Sequence, residues 1–177
     1  MKNPFTISLL CLLNIVFCSC PYSSPHKLDD NPNINVDEEL LGKWATVVKI
    51  NGSGREEPIK LILSKKTETE YNIAFTGYLD PVKPYHVIKA DSVKGTAFIS
   101  LIGDKQLMNI SIMSDVYIAE LKYINNTLSL LPLAEHFTSK MIFNNTALRN
   151  SVEFHYKTRV QPMYDEDFCL KGMVRVN

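Results

Sequence analysis

From Trp44 onward, apolar and polar residues alternate along one short segment of the chain after another. A period of two is typical of antiparallel strands that bury one face and turn the other toward water. In the first three segments the alternating positions are Trp44, Thr46, Val48 and Ile50, then Ile59, Leu61 and Leu63, then Tyr71, Ile73 and Phe75. A chain of 177 residues with this pattern has the size of one β-domain.

Further short segments, rich in β-branched and aromatic residues, continue the pattern. They cover residues 85–90, 97–101, 107–113, 116–124 and 128–131, and a last strand covers residues 168–176. Turn residues separate them, among them Asn51-Gly52, Gly103-Asp104 and Asn125-Asn126, which tolerate positive φ. We therefore predict an antiparallel up-and-down β-barrel or half-barrel of about eight strands, with Gly172 at a bulge in the last strand.

One or two helices are predicted before the last strand. The first begins at Pro132, since proline suits the first position of a helix. The second begins at an N-cap of Asn144 or Asn145. Side chains that share a face at helical spacing are Leu133, Phe137 and Met141 in the first helix and Leu148, Val152 and Tyr156 in the second. The predicted fold is therefore mainly β with minor α.

Residues 1–19 are predicted to be a secretory signal peptide. Lys2 supplies one positive charge, and the residues from Pro4 to Phe17 are almost all apolar, as in the two leading regions of such signals. The apolar run is shorter than the roughly 20 residues that a helix needs to span a bilayer. A buried helix of the folded domain is the alternative, but the segment has no polar face to meet water.

The end of this segment, Phe17-Cys18-Ser19-Cys20, resembles the lipobox of bacterial lipoproteins, in which a bulky apolar residue and two small residues precede a lipidated cysteine. Phe17 departs from the more usual Leu. The resemblance implies that Cys20 becomes the mature N-terminus and carries a diacylglyceryl group and an N-linked acyl chain. More than one acyl chain makes a membrane anchor durable. Ordinary signal cleavage near the same place, which leaves a secreted protein, is the alternative.

Residues 20–37 are predicted to form a flexible tether, because prolines and polar residues are frequent and no apolar period is present. Lys27-Leu28-Asp29-Asp30 resembles a surface-export signal of some bacterial lipoproteins, and a solvated charge cluster is the alternative. Pro21 follows Cys20 where an inner-membrane retention signal would place Asp, which favours the outer membrane of a Gram-negative bacterium. Residues 38–177 are predicted to form a single β-domain.

The start of that domain, Leu41-Gly42-Lys43-Trp44, resembles the G-x-W signature of lipocalins and their calycin relatives. In that family the Trp closes one end of an eight-stranded barrel, and a basic residue from a late strand packs across its ring. The resemblance implies that Gly42, Trp44 and Arg175 form this structural signature. No second motif of the T-D-Y kind is present, and a core Trp at the start of a strand is the alternative interpretation.

Charge and motifs favour a non-catalytic protein. The 19 basic and 19 acidic residues balance, whereas nucleic-acid binders need a basic face. The sequence contains no G-x-S-x-G elbow, P-loop or G-x-G-x-x-G loop. We therefore predict no catalytic residue, no cofactor, no metal site and no nucleic-acid partner. The alternative is an envelope hydrolase in which His136, His155 and the run Asp165-Glu166-Asp167 converge.

Cys169 and the strand tyrosines are the remaining candidates for a site. Negative charge at Asp165-Glu166-Asp167 is expected to raise the thiol pKa of Cys169, which argues against a nucleophile. The tyrosines either line a cavity for an apolar ligand or fill the core, and the second is favoured. The predicted function is that of a membrane-anchored envelope protein that binds a small apolar ligand or an envelope protein. A structural accessory subunit of an envelope complex is a further alternative.

Overall fold

A computed structural model describes residues 21–49, 55–79, 92–158 and 163–177. The predicted signal peptide, Cys20, the turn at residues 51–54 and the predicted strand at residues 85–90 lie outside these ranges. The described strands are β1 (Ser23–Ser24), β2 (Gly42–Lys49), β3 (Glu56–Lys65), β4 (Tyr71–Gly77), β5 (Ser92–Ile102), β6 (Lys105–Ile112), β7 (Asp115–Ile124), β8 (Thr127–Pro132) and β9 (Leu170–Val176), and the described helix is α1 (Asn145–Thr158).

The predicted eight-stranded antiparallel barrel is confirmed. Strands β2 to β9 each pair with the next strand along the chain, and β9 also pairs with β2, which closes the ring. β1 pairs with β7 outside the ring. Pairing between chain neighbours is the expected result of short connections between alternating segments.

Turn chemistry accounts for two local features of the ring. Asn125 and Asn126, between β7 and β8, have positive φ values of 51° and 60°, as a tight hairpin turn requires. In β9, Lys171 and Gly172 together stand opposite Ser129, and Gly172 has a φ of 60°. The predicted bulge at Gly172 is therefore confirmed.

Side chains from all eight strands of the ring fill the barrel interior. Trp44, Leu61, Tyr71, Met108 and Met173, which come from five different strands, have no accessible surface. A side chain beside a void large enough for water would expose part of its surface to that void. The interior around these five residues is therefore packed as a core.

A second apolar cluster, called here the outer cluster, lies outside the barrel, between its wall and α1. Leu107 of β6 packs in this cluster with Leu148 and Val152 of α1. Asn144 caps the helix, because its Oδ1 accepts the N–H of Ala147 at 2.8 Å. The second predicted helix is thus confirmed. In the described part of the chain, no helix combines the length and the apolar content needed to cross a bilayer.

The first predicted helix, from Pro132, is absent from this fully described stretch of chain, and its prediction is wrong. The carbonyl of Leu133 accepts the N–H of Tyr22 at 2.7 Å, and the N–H of Ala134 donates to the carbonyl of Met163 at 2.9 Å. These partners come from distant parts of the chain and hold the backbone extended at Leu133 and Ala134. They replace the local i to i−4 bonds that a helix would form.

Residues 21–37 differ from the predicted tether, because they pack along the barrel wall. Leu28 is buried in the outer cluster, and its N–H donates to Asn109 Oδ1 at 2.8 Å. Asn109 is itself wholly buried, and its Nδ2 donates to Ser100 Oγ at 2.8 Å. The wall therefore offers a buried polar site that the Leu28 backbone satisfies.

Polar contacts join the same segment to the start of α1. The N–H of Lys27 donates to Asn145 Oδ1 at 3.0 Å, and Asn145 Nδ2 donates to Asp30 Oδ1 at 2.6 Å. Asp29 forms an ion pair with Arg149 at 2.7 Å. The polar residues that predict a solvated segment are thus its points of attachment to the helix.

Leu28→Ala is expected to lower the free energy of unfolding by about 2–4 kcal/mol, because it removes contacts in the outer cluster. Leu101→Ala is the matched control: the Leu101 side chain is 45% exposed, and its truncation should change stability by no more than about 0.5 kcal/mol. Urea unfolding followed by circular dichroism measures both. Equal stability of the two variants would indicate that packing of the Leu28 side chain does not contribute to the fold.

Candidate functional site

Trp44 and Arg175 meet at one end of the barrel. Trp44 is wholly buried, and its indole N–H donates to the carbonyl of Leu40 at 2.9 Å. The register of β2 and β9 sets Trp44 opposite Arg175, and the guanidinium carbon lies 4.5 Å from the centre of the indole ring. A guanidinium stacked in this way contributes about 0.5–2 kcal/mol, depending on its burial.

Arg175 also joins the last strand to the segment that precedes β2. Its guanidinium donates to the carbonyls of Leu41 and Glu39, the latter within the 3-10 helix Glu38–Leu40. A Cβ atom at Gly42 would lie 2.6 Å from Arg175 Nη1, and Gly42 has a φ of 130° that other residues rarely adopt. Glycine therefore provides the space that the guanidinium occupies beside Trp44, which explains the G-x-W spacing physically.

A cleft of about 360 Å³ lies farther along β2, between this strand and the segment that leads into β9. β2 pairs with β9 only through Lys43, Trp44 and Ala45, so residues 46–49 continue beyond that pairing. The cleft is lined by Thr46, Val47, Val48, Lys49, Glu166, Asp167, Cys169 and Lys171. Both signs of charge and a strand edge suit an extended polypeptide better than an apolar small molecule.

The residues of the hydrolase alternative have separate contacts. His155 is buried, and its Nδ1 donates to the carbonyl of Phe137 at 3.0 Å, since a carbonyl only accepts. His136 is exposed. Asp165 is buried, and its Oδ1 accepts the N–H of Asp167 at the start of a 3-10 helix. Within the residues that the structure describes, no three His, Cys, Asp or Glu side chains form a group that could hold a metal ion.

Glu120 is a buried carboxylate that alternation alone would place on the water side of β7. The hydroxyl of Tyr164 donates to it, and the hydroxyl of Tyr156 lies 3.4 Å from that of Tyr164. Lys122 Nζ lies 3.6 Å from Glu120 Oε1. Burial, and secondly the charge of Glu120, raises the pKa of Tyr156. The Tyr156 hydroxyl therefore stays protonated at neutral pH. The contacts of Tyr164 with Glu120 and Tyr156 hold the residues around Tyr164 against the outer surface of the barrel.

Cys169 is the free thiol of the described residues. Burial first, and the charge of Glu166 second, raise its pKa to about 11. The direction agrees with the sequence prediction, but burial contributes more than the neighbouring carboxylates. The thiol donates to the carbonyl of Asp165 at 3.2 Å. Cys169 is therefore a weak nucleophile at neutral pH.

Comparison with known proteins identifies no relative of this chain: no family profile, no curated protein and no solved structure matches it. A proposal about function therefore depends on the contact between Trp44 and Arg175, on the packed interior and on the cleft beside β2.

Gly42→Ala is expected to lower the free energy of unfolding by about 2–4 kcal/mol, because the new Cβ meets Arg175 and the backbone is strained. Arg175→Ala removes the steric part of this cost. The two changes together should then cost about 1 kcal/mol less than the sum of the single changes. A double-mutant cycle in urea measures this coupling. Additive free energies would show that Gly42 does not act on Arg175.

At pH 8.5, Cys169 is expected to react with iodoacetamide at least about tenfold more slowly in the folded protein than in urea. Folding stability should also fall as pH rises from about 9 toward about 11, because the thiol ionises first in the unfolded chain. Cys169→Ser is the control, since it removes the reaction and this part of the pH dependence. Equal rates in the folded and unfolded protein would contradict the raised pKa.

Proposed function

We propose that this chain is a lipid-anchored envelope protein whose lipocalin-like barrel binds a protein partner and has no catalytic role. The proposed anchor is Cys20, at the end of the lipobox-like Phe17-Cys18-Ser19-Cys20. The proposed location is the outer membrane of a Gram-negative bacterium, which Pro21 in place of a retention signal supports. The balanced charge of the chain supports a partner other than a nucleic acid.

One arrangement supports the lipocalin-like part of the proposal. Gly42, Trp44 and Arg175 meet at the end of an eight-stranded antiparallel ring. This is the contact that the G-x-W resemblance implies. It combines a buried indole, a stacked guanidinium and a glycine that leaves room for it, so it is more specific than a core tryptophan alone.

Packing of the described barrel interior favours a protein partner over a small apolar ligand. A barrel that carries a small molecule usually has a cavity of about 300–1,000 Å³. Here Trp44, Ile59, Leu61 and Tyr71 have no accessible surface, so a ligand in this part of the interior would have to displace core side chains. The cleft beside residues 46–49 offers charged groups and a strand edge at the surface. We therefore favour an envelope protein, or a complex of which this chain is an accessory subunit, over a small apolar ligand.

Mass spectrometry of the mature protein, extracted from membranes in detergent, tests the anchor. The chain is expected to begin at Cys20 and to carry the diacylglyceryl and N-linked acyl groups, because the lipobox resemblance places cleavage before this residue. Cys20→Ala should abolish acylation and membrane retention. Cys18→Ala is the matched control and should leave both unchanged. An unmodified N-terminus at any other residue would overturn the anchor.

Native mass spectrometry of the same preparation tests the partner class. The acylated chain is expected to be detected without a bound small molecule, because the described part of its interior is filled by its own side chains. A small apolar molecule bound in one-to-one ratio would instead show that the barrel is a ligand carrier. That result would overturn the partner class and leave the anchor unaffected.

A further inference from the structure

We infer that one exposed apolar face of the domain lies against the membrane that holds the acyl chains of Cys20. This face, called here the membrane face, consists of Met141, Phe143 and Phe154 with Lys140 beside them. The inference rests on the proposed anchor and extends it, since it assigns an orientation to the domain. The partner proposed for this face is a phospholipid bilayer.

The membrane face groups three large apolar side chains in a short part of the chain. Met141 is 75% exposed, Phe143 is 70% exposed and Phe154 is 52% exposed. Large exposed apolar side chains that occur singly need no explanation, but a group of them marks an interaction surface. This group lies on α1 and on the loop that precedes it, outside the barrel wall.

Two contacts hold the start of the loop alongside α1, next to Phe154. Lys140 Nζ lies 4.6 Å from the ring centre of Phe154. His155, the next residue, bonds to the carbonyl of Phe137 at 3.0 Å. The loop therefore starts beside the C-terminal half of α1 and runs back to its N-terminus, which Phe143 adjoins.

The first described residues lie beside the same loop. Pro21 forms a β-bridge with Ala134, and the ring centre of Tyr22 lies 5.2 Å from that of Phe137. Cys20 directly precedes Pro21 in the sequence. The proposed anchor is therefore attached within a few residues of these contacts. An anchor attached this closely to a folded domain brings the adjoining surface to the lipid.

The polar groups near the membrane face match the chemistry of a phospholipid surface. Lys140 and Lys157 are exposed, and ammonium groups bind lipid phosphates while neighbouring aromatic side chains enter the acyl boundary. Among the nearby acidic residues, Glu153 is paired with Arg149 at 3.3 Å. Exposed Phe and Met beside Lys is the composition that surface-bound helices use in the interfacial layer.

A part of the barrel wall away from α1 provides a matched control. Val174 of β9 is 52% exposed, the same fraction as Phe154. The outer cluster beneath α1 includes residues of β5, β6 and β7, which lie between two and four strands around the ring from β9. Val174 therefore lies on a different part of the barrel wall from α1.

Dye labelling at these two positions tests the inference. Phe154→Cys and Val174→Cys are each made in the acylated full chain that carries Cys169→Ser, labelled with the dye NBD, and placed in vesicles of phosphatidylethanolamine and phosphatidylglycerol. Doxyl-labelled lipids are expected to quench the dye at position 154 at least about threefold more strongly than at position 174. Met141→Ser with Phe143→Ser should lower the quenching at position 154 to that at position 174, while the chain stays in the membrane.

Two other results would contradict the membrane face. Equal, weak quenching at both positions, in a chain whose mass shows an acylated Cys20, would overturn the membrane face and leave the anchor intact. A chain without acyl groups would overturn the anchor and, with it, the membrane face. Both labelled positions are exposed, and circular dichroism of the labelled chains verifies that the fold is kept.

Discussion

Closure of the ring depends on a short seam between the first and the last strand of the barrel. β2 and β9 pair through three residue pairs, whereas β2 and β3 pair through eight. Arg175 reinforces the short seam, since it stacks on Trp44 and donates to two carbonyls that precede β2. The same seam leaves residues 46–49 beyond the pairing with β9. The cleft in the wall is therefore a direct result of how the ring closes.

Features that depend on residues close in the chain could be predicted from the sequence. The alternation from Trp44 onward, the turn at Asn125 and Asn126, and the cap at Asn144 each follow from local spacing or local hydrogen bonding. The contact between Trp44 and Arg175 is different, because 134 positions separate Arg175 from the carbonyl of Leu41 that it also binds. Only the resemblance to a family could connect residues so far apart.

Features that depend on distant partners, and that no family resemblance connects, could not be predicted from the sequence. The spacing of Leu133 and Phe137 correctly indicates buried side chains. The backbone at Leu133 is nevertheless extended, because Tyr22 and Met163 bond to it and to the next residue, and Phe137 lies in the turn that follows. Glu120 is buried only because the Tyr164 segment covers an outward position of β7. Polarity and period describe a side chain's preference for water. They do not reveal which distant segment will remove that water.

The attachment of residues 27–30 to α1 limits the period during which these residues are accessible. Lys27 and Asp30 bond to Asn145 across 118 and 115 positions, so these contacts form only after most of the chain has been synthesised. Contacts of such long range also form late in folding, since a large loop must close first. A molecule that binds residues 27–30 as an unattached segment can therefore act only before α1 is in place. Residues 27–30 are therefore accessible to other molecules for a limited time, which ends when α1 packs against them.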